Sequence, residues 1–122
     1  MKHKILLIED NEQNRYLITY ILEKHGYEVF QARDGHEGIE LAKRVQPALI
    51  ILDIQLPLMD GFAVAQRLKK NDNARRIPII AVTAKAMKGD RERVMEAGCN
   101  DCLYKPINPE TLTAKVAEWL VR

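Results

Sequence analysis

The stretch that decides the fold is residues 49–61, LIILDIQLPLMDG. It begins with the unbroken apolar run Leu49–Leu52, and a run that does not alternate with polar residues is typical of a strand buried on both faces. Asp53 is the first polar residue after this run. Similar short runs occur at Ile5–Ile8, around Val29 and Phe30, at Ile79–Val82 and at Cys102–Tyr104. The sequence therefore predicts five buried strands.

The segments between the strands have apolar residues three and four positions apart, which is the pattern of amphipathic helices. A helix over roughly residues 88–97 has only Val94, Met95 and Ala97 as apolar anchors, so we expect it to be a segment of low local stability. The expected core-facing residues of the other helices are Leu17, Ile18, Ile21 and Leu22; Ile39, Ala42 and Val45; Val64, Ala65 and Leu68; and Leu112, Val116, Trp119 and Leu120.

The ends of the helices carry residues with known capping preferences. Gly26 favours the end of the first helix. Asp34 with Glu37 has the pattern of a capping box, and Asn108 before Pro109 favours the start of the last helix.

Strands that alternate with helices in this way favour an α/β fold with a parallel sheet, right-handed crossovers and helices on both faces. With five strands the common form is a flavodoxin-like (βα)5 doubly wound sheet with strand order 2-1-3-4-5. Its ligands bind beyond the carboxyl ends of strands 1 and 3.

Length and composition limit the class of protein. The 122 residues are expected to form one domain, residues 1–122, without an output domain. No apolar run approaches the roughly 20 residues of a membrane span, and no secretory signal is recognisable, so we expect a cytoplasmic protein without membrane contact. The 19 basic and 17 acidic residues are interspersed, and nucleic acid is not an expected partner.

Charged or reactive residues directly follow four of the five predicted strands. They are Glu9 and Asp10, Asp53, Thr83 and Lys105. Parallel strands bring their carboxyl ends to one edge of the sheet, so these side chains are expected to lie together. Singly, each residue fits a turn former, a helix cap or a surface residue, but three carboxylates at one edge repel one another and require a positive group. Carboxylate oxygens suit Mg²⁺, and Lys105 adds a fixed positive charge.

This set of residues is suited to phosphoryl transfer onto a carboxylate. In this interpretation Asp53 is the nucleophile, the metal lies between it and the phosphoryl oxygens, and Lys105 and Thr83 each bind one remaining oxygen. An ionised carboxylate is already nucleophilic, so no general base is needed.

The sequence resembles the receiver domain of two-component response regulators over its whole length. The matching motifs are ILLIEDN at residues 5–11, LIILDIQLPLMDG at 49–61, IIAVTA at 79–84 and YKP at 104–106. Within the family it is most similar to stand-alone, CheY/DivK-like members. The resemblance implies that a histidine kinase or histidine phosphotransfer protein donates a phosphoryl group to Asp53, which changes the surface that binds a downstream protein.

The resemblance also implies a set of metal ligands. Asp10 and Asp53 would bind Mg²⁺ or Mn²⁺ directly, together with the backbone carbonyl of Gln55. Glu9 would act through a water molecule.

The resemblance also implies roles for residues in and near the fifth strand. Lys105 and Thr83 would hold the phosphoryl group, and the Lys105–Pro106 peptide bond would be cis. The family commonly has an aromatic switch residue where this chain has Cys102. Tyr104 lies two residues later on the same face of the strand. Either Tyr104 replaces the aromatic switch residue in part, or the signal passes through the segment after Thr83 without an aromatic residue.

The resemblance also implies positions that tune the site, a binding face for the downstream protein and an oligomeric state. Gln55, Ala84 and Lys85 occupy positions that tune access of water to the phosphorylated site. The downstream protein would bind the face formed by helix 4, strand 5 and helix 5, around Tyr104 and Lys88. The protein would be a monomer or a weak, phosphorylation-linked dimer.

Other functional classes use some of the same residues. A Mg²⁺-dependent phosphatase of the haloacid dehalogenase kind also has an Asp nucleophile, but it needs a second Asp at the position of Gln55. A protein-binding module that no longer uses phosphorylation is a further alternative. A flavin carrier is disfavoured because Glu9 and Asp10 would repel the flavin phosphate.

Overall fold

The computed structural model describes residues 2–84 and 90–121, in which strands and helices alternate. The elements are β1 Lys4–Ile8, α1 Glu12–Lys24, β2 Glu28–Ala32, α2 Gly35–Val45, β3 Leu49–Asp53, α3 Gly61–Lys70, β4 Ile79–Thr83, α4 Asp90–Glu96, β5 Asp101–Tyr104 and α5 Pro109–Leu120. All five strands lie where the apolar runs predict them. Strand β5 begins one residue earlier than predicted, at Asp101.

The strands form one parallel sheet in the order β2-β1-β3-β4-β5, which confirms the predicted flavodoxin-like fold. Strands β1 and β3 are neighbours in the middle of this sheet, and β4 separates β3 from β5. In the register of β4 and β5, Thr83 is opposite Tyr104. The residues at the carboxyl ends of β1, β3, β4 and β5 therefore meet at one edge.

Two apolar layers cover the sheet, because successive residues of a buried strand point to opposite faces. In β1, Leu6 and Ile8 pack with residues of α2, α3 and α4, while Ile5 and Leu7 pack with residues of α1 and α5. None of these four side chains is more than 1% exposed. Burial of one such side chain stabilises the fold by about 1.5–3 kcal/mol, so both layers hold the central strands rigidly in place.

The helix starts follow the predicted capping signals, with one difference. Asn108 caps α5 by accepting a hydrogen bond from the Thr111 amide at 3.0 Å. Asp34 caps α2 in the same way, accepting from the Glu37 amide at 2.9 Å. The Glu37 carboxylate accepts from the amide of Arg33 at 2.7 Å, so the predicted capping box is shifted by one residue.

Two residues predicted to face the core lie on the surface. Leu17 of α1 is 42% exposed, and Met95 of α4 is 40% exposed. The side of α1 that faces the sheet is filled by Ile18, Ile21 and Leu22, which leaves Leu17 beside the buried stripe. Short α4 is anchored by Val94 and by Ala97 just after it; residues 88 and 89 of the predicted helix lie outside the described residues.

None of the helices within residues 2–84 and 90–121 is long and apolar enough to cross a bilayer.

Candidate phosphoacceptor site

Three carboxylates converge at the carboxyl edge of the sheet, as predicted. Asp53 is the last residue of β3, and Glu9 and Asp10 directly follow the neighbouring strand β1. One oxygen of each carboxylate lies within 4.8 Å of the other two. Glu9 and Asp53 are 1% and 2% exposed, whereas Asp10 is open to solvent. A cation that approaches from solvent would therefore meet Asp10 together with two buried carboxylates.

Both oxygens of Asp53 have hydrogen-bond donors. Its Oδ1 accepts from the Gln55 amide at 2.9 Å, and its Oδ2 accepts from Lys105 Nζ at 3.1 Å. The amide of Lys105 donates to the Thr83 carbonyl at 2.8 Å, and the Lys105–Pro106 bond is cis, as predicted. These contacts connect the ends of β3, β4 and β5.

Lys105 remains charged in this site. Burial alone lowers its pKa, but the hydrogen bond and charge of Asp53 and the charge of Glu9 outweigh burial and raise the pKa above the ordinary lysine value. The Nζ atom lies 3.6 Å from Glu9 Oε1 as well as 3.1 Å from Asp53. One ammonium group thus faces two buried carboxylates.

Glu9 is the least satisfied member of the cluster. Its Oε2 accepts from the Asn11 amide at 3.1 Å, but its Oε1 is buried and is the one such side-chain oxygen or nitrogen in the described residues that lacks a hydrogen-bond partner. Burial, followed by the contact with Asp53, raises the pKa of Glu9 to about 7. An oxygen-lined site with three carboxylates, one ammonium group and a buried oxygen that accepts no hydrogen bond suits a divalent cation such as Mg²⁺.

Thr83 is the last residue of β4, the strand next to β3. It is 5% exposed and lines a cavity of about 300 Å³ together with Gln55 and residues from the start of α3 and from α4. Ala84 follows it on the surface, and Lys85, predicted to tune the site, lies outside the described residues.

The predicted switch positions, Cys102 and Tyr104, are both in β5. Cys102 is 3% exposed and Tyr104 is 37% exposed, and both line a cavity of about 310 Å³ between β5, α4 and α5. Pro106 is on the surface. Lys88, predicted to take part in partner binding here, lies outside the described residues.

The sequence interpretation did not anticipate the role of Arg15. Its Nη1 donates to the carbonyl of Glu9 at 3.0 Å and to the carbonyl of Asp10 at 3.2 Å. The only sequence signal for these bonds is an arginine one turn into the helix that follows the acidic pair.

The fold and the site together define a class of protein: a flavodoxin-like domain with a buried aspartate, a lysine and an acidic pair at the carboxyl edge of its sheet. Residues 5–117 match the family model of the response regulator receiver domain, and the chain belongs to this family. It is a two-component response regulator receiver of the DivK and CheY type.

Named relatives and solved structures agree with this assignment. The polar-differentiation response regulator DivK of Brucella anthropi is 42% identical over 120 residues, which are 98% of each chain. The receiver domain of a sensor histidine kinase from Pseudomonas aeruginosa is 37% identical, with a TM-score of 0.93 over the full length of both chains. Its crystal structure has a magnesium ion coordinated in the active-site cleft.

A second similar structure is of a complex. It contains the Saccharomyces cerevisiae histidine phosphotransfer signaling protein Ypd1 and the receiver domain of its downstream response regulator Ssk1. The match has a TM-score of 0.88 and 30% identity and covers 98% of this chain and 88% of the other.

Proposed function

We propose that Asp53 accepts a phosphoryl group from a phosphohistidine and that the modified domain signals by binding another protein. The observation that carries this proposal is the position of Asp53: buried at the end of a central strand, 3.1 Å from Lys105 Nζ and next to Glu9 and Asp10. Asp53 is thus set beside both a fixed ammonium group and a cluster suited to a metal.

The chemical step needs no base from the protein. One carboxylate oxygen of Asp53 attacks the phosphorus, and an O–P bond forms while the N–P bond to the histidine breaks. The electron pair of that bond stays on the imidazole nitrogen, which then takes a proton from water. In the reverse of the signal, water attacks the aspartyl phosphate and releases inorganic phosphate from Asp53.

Asp10 and Asp53, with the carbonyl of Gln55, would hold Mg²⁺ or Mn²⁺ directly in this domain, and Glu9 would hold it through a water molecule. The bound ion would supply the positive charge that offsets the phosphoryl oxygens. The lack of a hydrogen bond to Glu9 Oε1 and the convergence of three carboxylates support this metal site.

Two side chains are proposed to bind the phosphoryl group after transfer. Lys105 is already in contact with Asp53 and can exchange the carboxylate for a phosphoryl oxygen with a small movement. Thr83 lies at the end of the adjacent strand and lines a cavity together with Gln55, two residues beyond Asp53. Two such charge-assisted hydrogen bonds would stabilise the phosphorylated conformation by roughly 3–6 kcal/mol.

The proposed partners follow from the site and the family. The donor is a histidine kinase or histidine phosphotransfer protein, and the downstream protein binds the face of α4, β5 and α5 beside Tyr104. We further propose that the protein acts in the cytoplasm, as a monomer or a weak dimer linked to phosphorylation.

The test is incubation with Mg²⁺ and acetyl phosphate, followed by intact mass. We expect the mass of one added phosphoryl group in the natural chain and in Asp72→Asn, a matched control in an exposed loop. The Asp53→Asn variant should remain unmodified. A phosphorylated Asp53→Asn protein would remove Asp53 from its central role.

A further inference from the structure

The turn between β1 and α1 is held by a cation that does not touch the carboxylates. Arg15 Nη1 donates to the main-chain carbonyls of Glu9 and Asp10, at 3.0 and 3.2 Å. Both carbonyls lie beyond Ile8, the last residue of β1 in the sheet ladder. Arg15 is part of α1, a 13-residue helix whose other face packs in the core.

A side chain bound to two successive carbonyls fixes the direction of the residues that carry them. The Asn11 amide adds a contact to Glu9 Oε2 at 3.1 Å, and Asn11 itself caps α1. The path of the chain from Glu9 to Asn11 is therefore specified by α1. This path decides whether the Glu9 and Asp10 carboxylates point toward Asp53.

We propose that Arg15 is a positioning residue that sets the divalent-cation affinity of the site by holding the carbonyls of Glu9 and Asp10. The proposal rests on the function proposed above, in which these carboxylates bind Mg²⁺. Groups that orient metal ligands commonly change metal affinity by about 10–100-fold when they are removed.

The two roles that Arg15 could have, as a nearby positive charge or as a group that holds the turn, predict opposite effects of its removal on Mg²⁺ binding. If Arg15 acts only as a positive charge near three carboxylates, its removal strengthens Mg²⁺ binding, because the repulsion between two cations is relieved. If Arg15 holds the turn, its removal weakens Mg²⁺ binding, since the carboxylates no longer converge.

The experiment is titration of the unphosphorylated protein with Mg²⁺ by isothermal calorimetry. We expect Arg15→Met to raise the Kd by about tenfold or more. Arg15→Lys keeps the charge but carries it on a shorter, flexible side chain in place of the rigid guanidinium group, so it should restore the affinity only in part. Arg15→Gln keeps a two-hydrogen donor on a shorter, neutral side chain and should also be weak.

The matched control is Arg44→Met, which removes the same charge from the last turn of α2, at the other edge of the sheet. It should leave the Kd unchanged. An unchanged or lower Kd in Arg15→Met overturns the proposal, and thermal unfolding without Mg²⁺ identifies any variant that is not folded. Failure of the natural chain to bind Mg²⁺ would overturn the proposed metal site itself, and with it this role of Arg15.

Discussion

At the scale of single residues, the carboxylate cluster is not electrically balanced by the protein. Glu9 and Asp53 are both buried and share one ammonium group, Lys105 Nζ, at 3.6 and 3.1 Å. The Glu9 Oε1 atom has no hydrogen-bond partner. A buried oxygen without a hydrogen bond destabilises the fold. A ligand bound at this strand end would offset that cost, and unbalanced groups of this kind are common at functional sites.

This imbalance predicts the effect of Glu9→Gln on stability. Above pH 7, where Glu9 is ionised because its pKa is about 7, replacing the carboxylate by a neutral amide of the same shape removes the repulsion with Asp53. The free energy of unfolding without divalent cations should therefore rise, by on the order of 1 kcal/mol. The measurement is urea unfolding in EDTA. Glu92→Gln, on the exposed side of α4, is the control and should be neutral. A Glu9→Gln protein less stable than the natural chain would contradict the strain assigned here.

Some residue roles were accessible from sequence and others were not. Asp53, Thr83 and Lys105 could be identified because each ends an apolar run and the topology brings strand ends together. Arg15 could not, since a side chain that binds main-chain carbonyls has no identifiable partner residue in the sequence. The sequence predicts Leu17 in the core because hydropathy does not distinguish the residues of a buried stripe from those at its border.

At the scale of elements, the loop from β3 to α3 approaches the strand end more closely than a side chain allows. A Cβ atom on Gly61 would lie 2.5 Å from Ile54 Cα and 2.7 Å from the Asp53 carbonyl oxygen. The Gly61 amide also donates to the Ile54 carbonyl at 2.9 Å. The first residue of α3 therefore rests directly against the backbone that carries Asp53.

Gly61→Ala should consequently damage both the fold and the site. Because the clash is with backbone atoms, which cannot turn away, we expect a loss of roughly 1–3 kcal/mol in the free energy of unfolding and slower phosphorylation by acetyl phosphate. Thermal unfolding and the rate of mass increase measure the two effects. The control is Gln66→Ala on the exposed side of α3, and equal behaviour of the two variants would refute the close approach.

Helix α5 is attached to β5 by a polar contact that the hydrophobic pattern does not reveal. Asp101, the first residue of β5, accepts hydrogen bonds from Lys115 Nζ at 3.0 Å and from Trp119 Nε1 at 2.9 Å. Burial alone would raise the pKa of Asp101, but these bonds and that of the Cys102 amide lower it below the ordinary value. The charged form is thus favoured in the folded protein.

The pH dependence of this attachment has a definite sign. An aspartate with a lowered pKa stabilises the fold above its unfolded pKa, about 3.8, and loses that contribution as the pH falls through the lower folded value. Asp101→Asn should therefore cost about 1.5–3 kcal/mol at pH 7, and the difference from the natural chain should shrink below pH 4. Urea unfolding of both proteins between pH 2.5 and 7 measures this difference in the free energy of unfolding. A constant difference across this range would contradict the argument, and Asp72→Asn, in an exposed loop, is the control.

At the scale of the whole molecule, the site and the core share the same two strands. Strands β1 and β3 are covered by both apolar layers, and their ends carry Glu9, Asp10 and Asp53. These residues cannot separate from one another without loss of the packing of both layers. A ligand that binds all three should therefore stabilise the entire fold rather than one loop.

The proposed metal site thus predicts a global effect of Mg²⁺ on unfolding. A ligand that binds only the folded state at about 100 times its Kd adds about 2.7 kcal/mol to the free energy of unfolding, or roughly 10 °C in Tm for a domain of this size. The shift should grow with the logarithm of the Mg²⁺ concentration, and EDTA should abolish it. Asp10→Asn should lose most of it and Asp72→Asn none. An equal shift from NaCl at matched ionic strength, or in Asp10→Asn, would mean that Mg²⁺ acts by screening and not at these carboxylates.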